Sequence, residues 1–345
     1  MKGLKILYLS LHTILEYNEL RLFTDSGADV FSVGSSYSNP QSGGEGKRPP
    51  LKNMKFHEDL YRLGNDKKNL PNELIEWADV IILMHIDSET KWIRGNWERM
   101  KHKKVIYRSI GQSSPNIERF LKPYRDQGLK VVRYSPNEKN IEDYCGEDAM
   151  IRFHQYGDEW PEWKGRRPRV MACVQSFKSR DMGFTRDWVG YRLWKKSTAG
   201  IERIVYGIGN HNMEEWAGEQ DFEGIKKAFS EEGCAFVFGT HPAPYTLSIQ
   251  EMACVGMPMA VAGEGIRWLN GADPNWSRNQ WEVPEMFKGA CLVAENVEDM
   301  TVNIRRLIAD HEFAKDLGQK AKQRARELFD VSVIRPQWES FLNSL

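Results

Sequence analysis

Residues that could bind a phosphate and a ribose follow one another at 246–251 (TLSIQE). A predicted strand ends shortly before this segment, and a helix is predicted to begin near Thr246. Such a helix starts at the carboxyl edge of a parallel sheet, where α/β folds bind ligands, and its free N–H groups and dipole suit a phosphate. Thr246, Leu247 and Ser248 are therefore candidate phosphate contacts, and Glu251 could accept hydrogen bonds from ribose hydroxyls.

The same spacing has a purely structural interpretation. Ser248-x-x-Glu251 fits a capping box, in which Glu251 would only stabilise the start of its own helix. The helix is predicted to stop at Gly256, and Pro258 leads into the next strand. Spacing alone does not separate binding from capping.

In the first half of the chain, three side chains follow predicted strands and could act on a hydroxyl group. His12 and Glu16 lie one turn apart after the first strand, and His85 follows a later one. Each could hold or deprotonate an acceptor hydroxyl, so we predict all three as catalytic candidates, with ordinary hydrogen-bonded structure as the competing interpretation. Gln112, after the next strand, is a candidate acceptor contact.

Gly207-Ile-Gly209 is a partial dinucleotide-binding fingerprint. The third glycine is missing, and no acidic residue follows a second strand about 20 residues later, so the pattern is weak evidence for NAD. Two glycines at a strand end would still allow the backbone a close approach to a ligand or a neighbouring loop.

Apolar runs and helical spacing alternate along the chain and predict its elements. Strands are predicted at 4–11, 29–33, 79–84, 104–107, 129–134, 169–174, 203–207, 235–238, 258–262 and 290–293. Helices are predicted at 15–26, 74–78, 91–102, 117–126, 222–231, 247–255, 297–309, 312–329 and 331–345. This order predicts an α/β fold with parallel sheets covered by helices on both faces.

The length of 345 residues exceeds one typical core and indicates two domains. We predict Rossmann-like, doubly wound domains at 1–157 and 169–330, facing each other across a cleft. Residues 158–168, rich in Gly, Pro and charge, are predicted to link them.

Composition excludes several classes of protein. The chain has 48 Lys and Arg against 48 Asp and Glu, so a polyanion-coating protein is not expected. The five cysteines are scattered without a C-x-x-C pair, which indicates neither a zinc site nor a disulfide framework. No apolar run approaches the 18 residues of a membrane span, and no signal peptide is predicted, so we expect a soluble, cytoplasmic protein.

Two stretches are nevertheless basic. Residues 89–135 hold twelve Lys and Arg against four acidic residues, and residues 164–203 hold eleven against three. Trp92 and Trp97 interleave with cations such as Arg94 and Lys101, which we take as candidate acceptor contacts. Three interpretations stay open: solvated helix faces, a surface for nucleic acid, and a membrane-interfacial helix.

The segment Glu251, Ala253, Gly256, Pro258 resembles the donor-nucleotide motif of GT-B glycosyltransferases, specifically the retaining family 4 (glycosyl transferases group 1). That motif is a Glu, seven residues, a second Glu, then Ala-x-x-x-Gly-x-Pro and an apolar strand. The tail also matches, at 289–293, 297–300, 308–318 and 327–329. The resemblance covers residues 168–345 well and the first half in outline.

The resemblance implies a GT-B fold in which the second domain binds a UDP- or GDP-linked sugar and the first binds an acceptor. It implies that Lys178 and Arg180 neutralise the donor diphosphate, that Gly207 and Gly209 form a turn facing the donor, and that helix 331–345 crosses back to the first domain. The motif's first Glu falls at Ala243, and His241 is the candidate replacement for its sugar contact.

Retention of anomeric configuration is also implied, and no metal ion or other cofactor is expected, because the nucleotide sugar is a substrate and the sequence has no Asp-x-Asp pair. For the acceptor we favour a hydroxylated base in DNA, with a lipid or polysaccharide hydroxyl close behind. Two competing functions stay open: a sugar-nucleotide epimerase of the same fold and an inactive sugar-nucleotide-binding protein.

Overall fold

Apolar runs of the sequence become the buried strands of two parallel sheets. The computed structural model describes residues 1–10, 12–33, 48–63, 69–84, 90–111, 113–182, 190–239, 243–267 and 280–345. The chain divides into an N-terminal unit, Met1–His154 with Val331–Leu345, and a C-terminal unit, Gln155–Asp330. The prediction of an α/β fold with parallel sheets is confirmed.

The described residues of the N-terminal unit form six strands, all parallel: β1 (Lys5–Leu9), β2 (Asp29–Ser32), β3 (Val80–Met84), β4 (Lys104–Arg108), β5 (Lys130–Arg133) and β6 (Ala149–Met150). Their order across the sheet is β2-β1-β3-β4-β5-β6. The helices of this part of the chain are α1 (Thr13–Asp25), α2 (Glu58–Arg62), α3 (Asn72–Trp77), α4 (Thr90–Met100) and α5 (Pro115–Arg125).

The C-terminal unit contains β7 (Arg167–Cys173), β8 (Arg203–Tyr206), β9 (Glu232–Val237), β10 (Met259–Ala262) and β11 (Leu292–Ala294), again all parallel. Their order is β8-β7-β9-β10-β11. Its helices are α6 (Phe177–Met182), α7 (Gly190–Ser197), α8 (Phe222–Glu231), α9 (Leu247–Val255), α10 (Glu264–Arg267), α11 (Val283–Met286), α12 (Val297–Ala309) and α13 (His311–Phe329).

The last helix, α14 (Val331–Ser344), belongs to the N-terminal unit. Its Trp338 is fully buried and meets the Phe23 ring edge-on, with 5.2 Å between the ring centroids. The buried guanidinium of Arg108 lies over the indole, with its Cζ atom 5.3 Å from the centroid of the Trp338 ring. Burial of a large aromatic side chain is the main term that holds such a helix in place.

The predicted linker is packed into the C-terminal unit. Trp160 and Trp163 are 6% and 7% exposed. The Trp163 indole N–H donates to the Glu232 carbonyl at 2.8 Å, and the Lys164 N–H donates to the Ser230 carbonyl at 2.8 Å. Residues 158–168 therefore form part of the second unit, because their aromatic side chains complete its core.

Both sheets follow the same strand order, in which the first strand lies between the second and the third. The direction of winding reverses between the first and third strands, which are β1 and β3 in one unit and β7 and β9 in the other. Ligands of open α/β sheets bind beside the carboxyl ends of the strands at this reversal. The fold therefore indicates one candidate position in each unit.

Candidate functional site

In the C-terminal unit, the reversal lies between the segments that follow β7 and β9. The first segment leads through Val174–Ser176 into α6, which carries Lys178 and Arg180. The second leads through Ala243–Tyr245 into α9. The structure thus brings α6, which carries Lys178, and the predicted phosphate-binding helix to the two sides of one position.

Thr246 is the residue at the start of α9, with extended backbone and no hydrogen bond from its side chain to the helix N–H groups. Its Oγ1 lies 3.1 Å from the Ser248 Oγ instead. Thr246, Leu247 and Ser248 are all partly exposed. The first turn of α9 therefore presents two hydroxyls and backbone N–H groups without a side-chain cap, which is an arrangement that suits an anion.

The capping-box interpretation of Ser248 and Glu251 is wrong. A capping box needs its Ser at the position before the first helical residue, and that position is Thr246. Ser248 is the second residue of α9, and Glu251 is the fifth, more than one turn into the helix. Its carboxylate therefore cannot serve the helix start in the way the motif requires.

Glu251 lies inside the unit, with only 5% of its surface exposed. Its negative charge adds to burial in raising the pKa of the Cys173 thiol to about 12. Since Cys173 is the last residue of β7, Glu251 lies close to the carboxyl end of that strand. The carboxylate therefore lies on the β7 side of the reversal between β7 and β9, and its contact with a ribose stays a prediction.

The loop after β8 packs tightly against the loop after β7. Gly207 and Gly209 have left-handed backbone, with φ of 116° and 78°. A Cβ atom on Gly207 would lie 2.5 Å from the Val174 carbonyl oxygen, and one on Gly209 would lie 2.4 Å from the Ser176 Oγ. The two glycines are needed for this contact between loops, and their predicted contact with a donor stays a prediction.

Asn210 ties these loops together and was missed in the sequence analysis. Its fully buried amide donates to the carbonyls of Val174 (2.7 Å) and Gly207 (3.0 Å), and its oxygen accepts from the Phe177 N–H at 2.7 Å. The only sequence signal is its place directly after the glycine pair. Asn210 fixes the backbone that leads into α6 and so positions Lys178.

Lys178 is partly exposed on the first turn of α6. The backbone of Arg180 lies in the same helix, while its side chain is outside the described part of the structure. His241 also lies outside the described residues, and Ala243, where the family pattern has its first Glu, is 2% exposed. The roles of these cations and of His241 remain predictions.

In the N-terminal unit, His12 is the residue before α1 and caps that helix. The Leu15 N–H donates to the ring Nδ1 at 3.3 Å, and burial lowers the pKa of His12. The neutral ring therefore carries its proton on Nε2. In this tautomer the ring can donate a hydrogen bond to an acceptor hydroxyl, whereas it has no free nitrogen lone pair with which to deprotonate one.

Glu16 is fully buried, although the sequence analysis predicts it as a catalytic group. Its Oε1 accepts a hydrogen bond of 2.6 Å from the Ser32 hydroxyl at the end of β2. The arrangement ties α1 to the sheet, and the predicted catalytic role of Glu16 stays a prediction. His85 and Gln112 lie outside the described residues, so their predicted roles are not placed.

Most described cations of the two basic stretches are paired. In the first stretch the ion pairs are Lys101–Glu98, Lys103–Glu76, Arg119–Asp143, Arg125–Asp148, Lys130–Asp148, Arg108–Glu19 and Arg133–Glu118. In the second they are Lys164–Glu231, Arg166–Glu231, Arg167–Glu232, Arg169–Glu232, Lys195–Glu215 and Arg203–Glu215. Carboxylates from elsewhere in the fold therefore offset part of the net charge of +8 along each sequence stretch.

The tryptophans of α4 do not form a surface. Trp92 and Trp97 are 3% and 4% exposed, and the Trp97 indole N–H donates to the Gln127 side chain at 2.8 Å. Buried indoles can neither stack on bases nor enter a bilayer interface, so the interpretation of this helix as a Trp and cation surface is wrong.

The two predicted acceptor contacts of α4 differ in position. Arg94 is exposed and lies over the Phe120 ring, with 5.5 Å to its centroid. Lys101 follows the end of α4 and precedes the start of β4 by three residues, at the amino edge of the sheet. His12 lies at the carboxyl edge, so the structure does not bring Lys101 to the same site.

The described ranges contain no cluster of three or more His, Cys, Asp and Glu side chains arranged to hold a metal ion. No helix within them is long and apolar enough to cross a membrane.

Three solved structures with the same fold are distant from this chain in sequence. HepE from Anabaena, in complex with UDP and glucose, is 14% identical, with a TM-score of 0.69 over 99% of this chain and 100% of HepE. Sucrose-phosphate synthase from Thermosynechococcus elongatus is 11% identical, with a TM-score of 0.67 over 99% and 98% of the two chains. A glycosyltransferase from Rickettsia africae has the same identity and TM-score, with 99% of each chain covered.

No known protein-family profile matches the chain, and no curated protein matches it by sequence. The structural likeness shows the GT-B fold of these proteins, which confirms the predicted fold class.

Proposed function

We propose that this chain, which has the GT-B fold, is a glycosyltransferase that binds a nucleotide-sugar donor in its C-terminal unit. One observation carries the proposal. The first turn of α9 carries the hydroxyls of Thr246 and Ser248 and has no side-chain cap, and Glu251 follows in the same helix. Lys178 lies in α6, the helix that follows β7 on the other side of the reversal between β7 and β9. Proteins of this fold that include HepE have been solved with UDP, with UDP and glucose, and with UDP-glucose, which supports the same donor chemistry here.

In the proposed complex, the first turn of α9 and Lys178 bind the diphosphate, and Glu251 accepts hydrogen bonds from the ribose hydroxyls. The leaving diphosphate gains negative charge as the bond from its oxygen to the anomeric carbon breaks. Fixed N–H groups and a cation at that oxygen stabilise the developing charge and so accelerate the reaction. UDP and GDP are the proposed leaving groups.

We further propose retention of anomeric configuration. The acceptor oxygen bonds to the anomeric carbon on the face that the diphosphate leaves, and the diphosphate takes the acceptor proton. This route needs no protein base.

The proposed acceptor is a hydroxyl compound. A hydroxylated DNA base is favoured in the sequence analysis because of basic stretches and interleaved tryptophans. Those cations are largely ion-paired and Trp92 and Trp97 are buried, which weakens this support. DNA therefore stands level with polysaccharide and lipid hydroxyls as the acceptor to be tested.

The test incubates the protein with UDP- and GDP-linked sugars carrying a radiolabel, with and without DNA, polysaccharide and lipid acceptors. Release of the nucleoside diphosphate with label on one acceptor supports the proposal. Proton NMR of the product's anomeric signal then reports retention or inversion.

The same assay separates a glycosyltransferase from the two competing functions. An epimerase converts the donor sugar without releasing diphosphate. An inactive sugar-nucleotide-binding protein binds the donor and leaves it intact with every acceptor. Either result overturns the glycosyltransferase proposal while preserving the donor site.

A further inference from the structure

Gln280 is a buried amide without a hydrogen-bond partner. Its side chain has no exposed surface, and within the part of the chain that the structure describes neither Oε1 nor Nε2 is within hydrogen-bonding reach of a partner. Buried polar groups are satisfied in the great majority of cases, because leaving one unpaired forfeits its hydration without compensation. An amide whose oxygen and nitrogen are both unpaired therefore indicates that a ligand supplies the missing hydrogen bonds.

The backbone next to Gln280 is fixed at the carboxyl edge of the C-terminal sheet. The indole N–H of Trp281 donates to the carbonyl of Ala262, the last residue of β10, at 3.0 Å. The N–H of Glu282 donates to the Pro244 carbonyl at 2.9 Å. Since Pro244 precedes Thr246 by two residues, Gln280 lies beside the segment that leads into α9.

A second buried amide shows what a structural role looks like in this protein. Asn96 is 1% exposed in the N-terminal unit. Its oxygen accepts from the Leu70 N–H at 2.9 Å, and its nitrogen donates to the Trp92 carbonyl at 2.8 Å. Asn96 joins two segments through both atoms, whereas Gln280 joins nothing that the structure describes.

We propose that Gln280 is a donor-binding residue whose amide hydrogen-bonds the nucleotide sugar. This inference rests on the proposed function and names a residue that the sequence motif does not include. An amide offers one acceptor and a pair of donors, so it complements a group that both donates and accepts. A sugar hydroxyl and the N3–H and carbonyl edge of uracil share this chemistry.

The test replaces Gln280 by Met, which has a similar volume and no strong hydrogen-bonding group. Isothermal titration with UDP and UDP-glucose gives the dissociation constants, and thermal unfolding gives Tm. Loss of a ligand hydrogen bond predicts weaker binding of UDP-glucose, with a dissociation constant about fivefold to tenfold larger. Removing an unpaired buried amide predicts that Tm does not fall.

Two comparisons interpret the result. Asn96→Leu is the matched control: removing a satisfied amide lowers Tm and leaves the affinity for UDP-glucose unchanged. The two titrants identify the contact, because equal losses for UDP and UDP-glucose indicate the uracil edge, and a loss confined to UDP-glucose indicates the sugar.

An affinity of Gln280→Met within twofold of wild type overturns the inference. So does a Tm loss as large as that of Asn96→Leu, because it assigns the amide to the core. A crystal structure of the wild-type protein with UDP-glucose gives a test that needs no variant: an amide atom about 3 Å from the ligand is expected, and an amide remote from it contradicts the inference.

Failure of this inference and failure of the proposed function give different results. If wild type binds UDP-glucose and Gln280→Met binds it equally well, only the role of Gln280 is refuted. If wild type binds none of UDP, GDP and their sugars, the donor site itself is refuted.

Discussion

The side-chain nitrogen of Asn210 donates to the main-chain oxygen of Val174 at 2.7 Å, which joins the loop after β8 to the loop after β7. The same amide also binds Gly207 and Phe177. Because α6 starts at Phe177 and carries Lys178, the orientation of a predicted diphosphate contact depends on a residue that makes no predicted contact itself. Asn210 is thus a positioning residue for the candidate donor site.

Replacement of Asn210 by Ala should destabilise the protein and weaken donor binding. Three hydrogen bonds are lost, and the Val174 carbonyl and the Phe177 N–H lose the Asn210 partner inside the loops, which predicts a loss of about 2–3 kcal/mol in the free energy of unfolding. Urea denaturation measures this loss. Asn303→Ala, which removes a bond from an Asn side chain to the Val293 carbonyl at the surface, is the control and should cost well under half as much.

Gly207→Ala tests whether the glycine is required by the neighbouring loop. The new Cβ would lie 2.5 Å from the Val174 oxygen in addition to adopting an unfavourable φ of 116°. Gly218→Ala is matched, since its φ is 81° and nothing lies within 4 Å of the added Cβ. We expect Gly218→Ala to cost about 1 kcal/mol, from backbone strain alone. Gly207→Ala should cost about 2 kcal/mol more, because of the clash. Equal losses of stability would show that the loops are not in tight contact.

Glu138 makes the stability of the N-terminal unit depend on pH. Burial raises the pKa of this carboxyl group from its ordinary 4.5 to about 7, although Arg133 and the Ser109 hydroxyl act in the opposite direction. The folded state therefore holds more protons than the unfolded state between pH 4.5 and 7. The stability contributed by Glu138 is fully present below pH 4.5 and is lost as the pH rises through 7.

Glu138→Gln should remove this contribution. The free energy of unfolding of wild type minus that of the variant should be larger at pH 4.5 than at pH 8, by on the order of 3 kcal/mol. Denaturation curves at a series of pH values give the difference, and Glu142→Gln, at an exposed carboxyl group, should give none. A difference that does not vary with pH would mean that Glu138 is ionised throughout.

Binding to duplex DNA should be weak, because most described cations of the basic stretches already hold carboxylate partners. Few counterions are then released on binding, so the logarithm of the affinity should depend shallowly on the logarithm of salt concentration. Fluorescence anisotropy from about 50 to 200 mM salt measures this slope. Tight binding at low salt with a steep slope would restore DNA as the favoured acceptor.

The repeating elements could be predicted from the sequence because local patterns determine them. Apolar runs identify ten of the eleven strands in the described ranges, and the bounds predicted for α9 and α12 agree with the structure. The two-residue strand β6 carries too short a pattern to be found. Short helices such as α6 and α7 were also missed, since they hold fewer than three turns of apolar periodicity.

The site was only partly predictable, because much of it depends on contacts distant in sequence. Glu251 could be identified from its motif. By contrast, burial of Arg108 and Arg133 depends on Glu19 and Glu118, and no local pattern records these partners. Asn210 likewise acts through residues more than thirty positions away, and charge counted along a stretch of sequence misjudges the surface for the same reason.

The central claim is that Glu251, in α9 of the C-terminal unit, binds the nucleotide of a sugar donor. Isothermal titration of wild type, Glu251→Gln and Glu298→Gln with UDP-glucose and a GDP-linked sugar tests it most directly, because Glu298 is an exposed carboxylate in the first turn of another helix. The account predicts that wild type and Glu298→Gln bind the donor with similar affinity. Glu251→Gln should bind it at least about tenfold more weakly than wild type, with unchanged Tm. Equal affinities for all three proteins, or no binding by wild type, would contradict it.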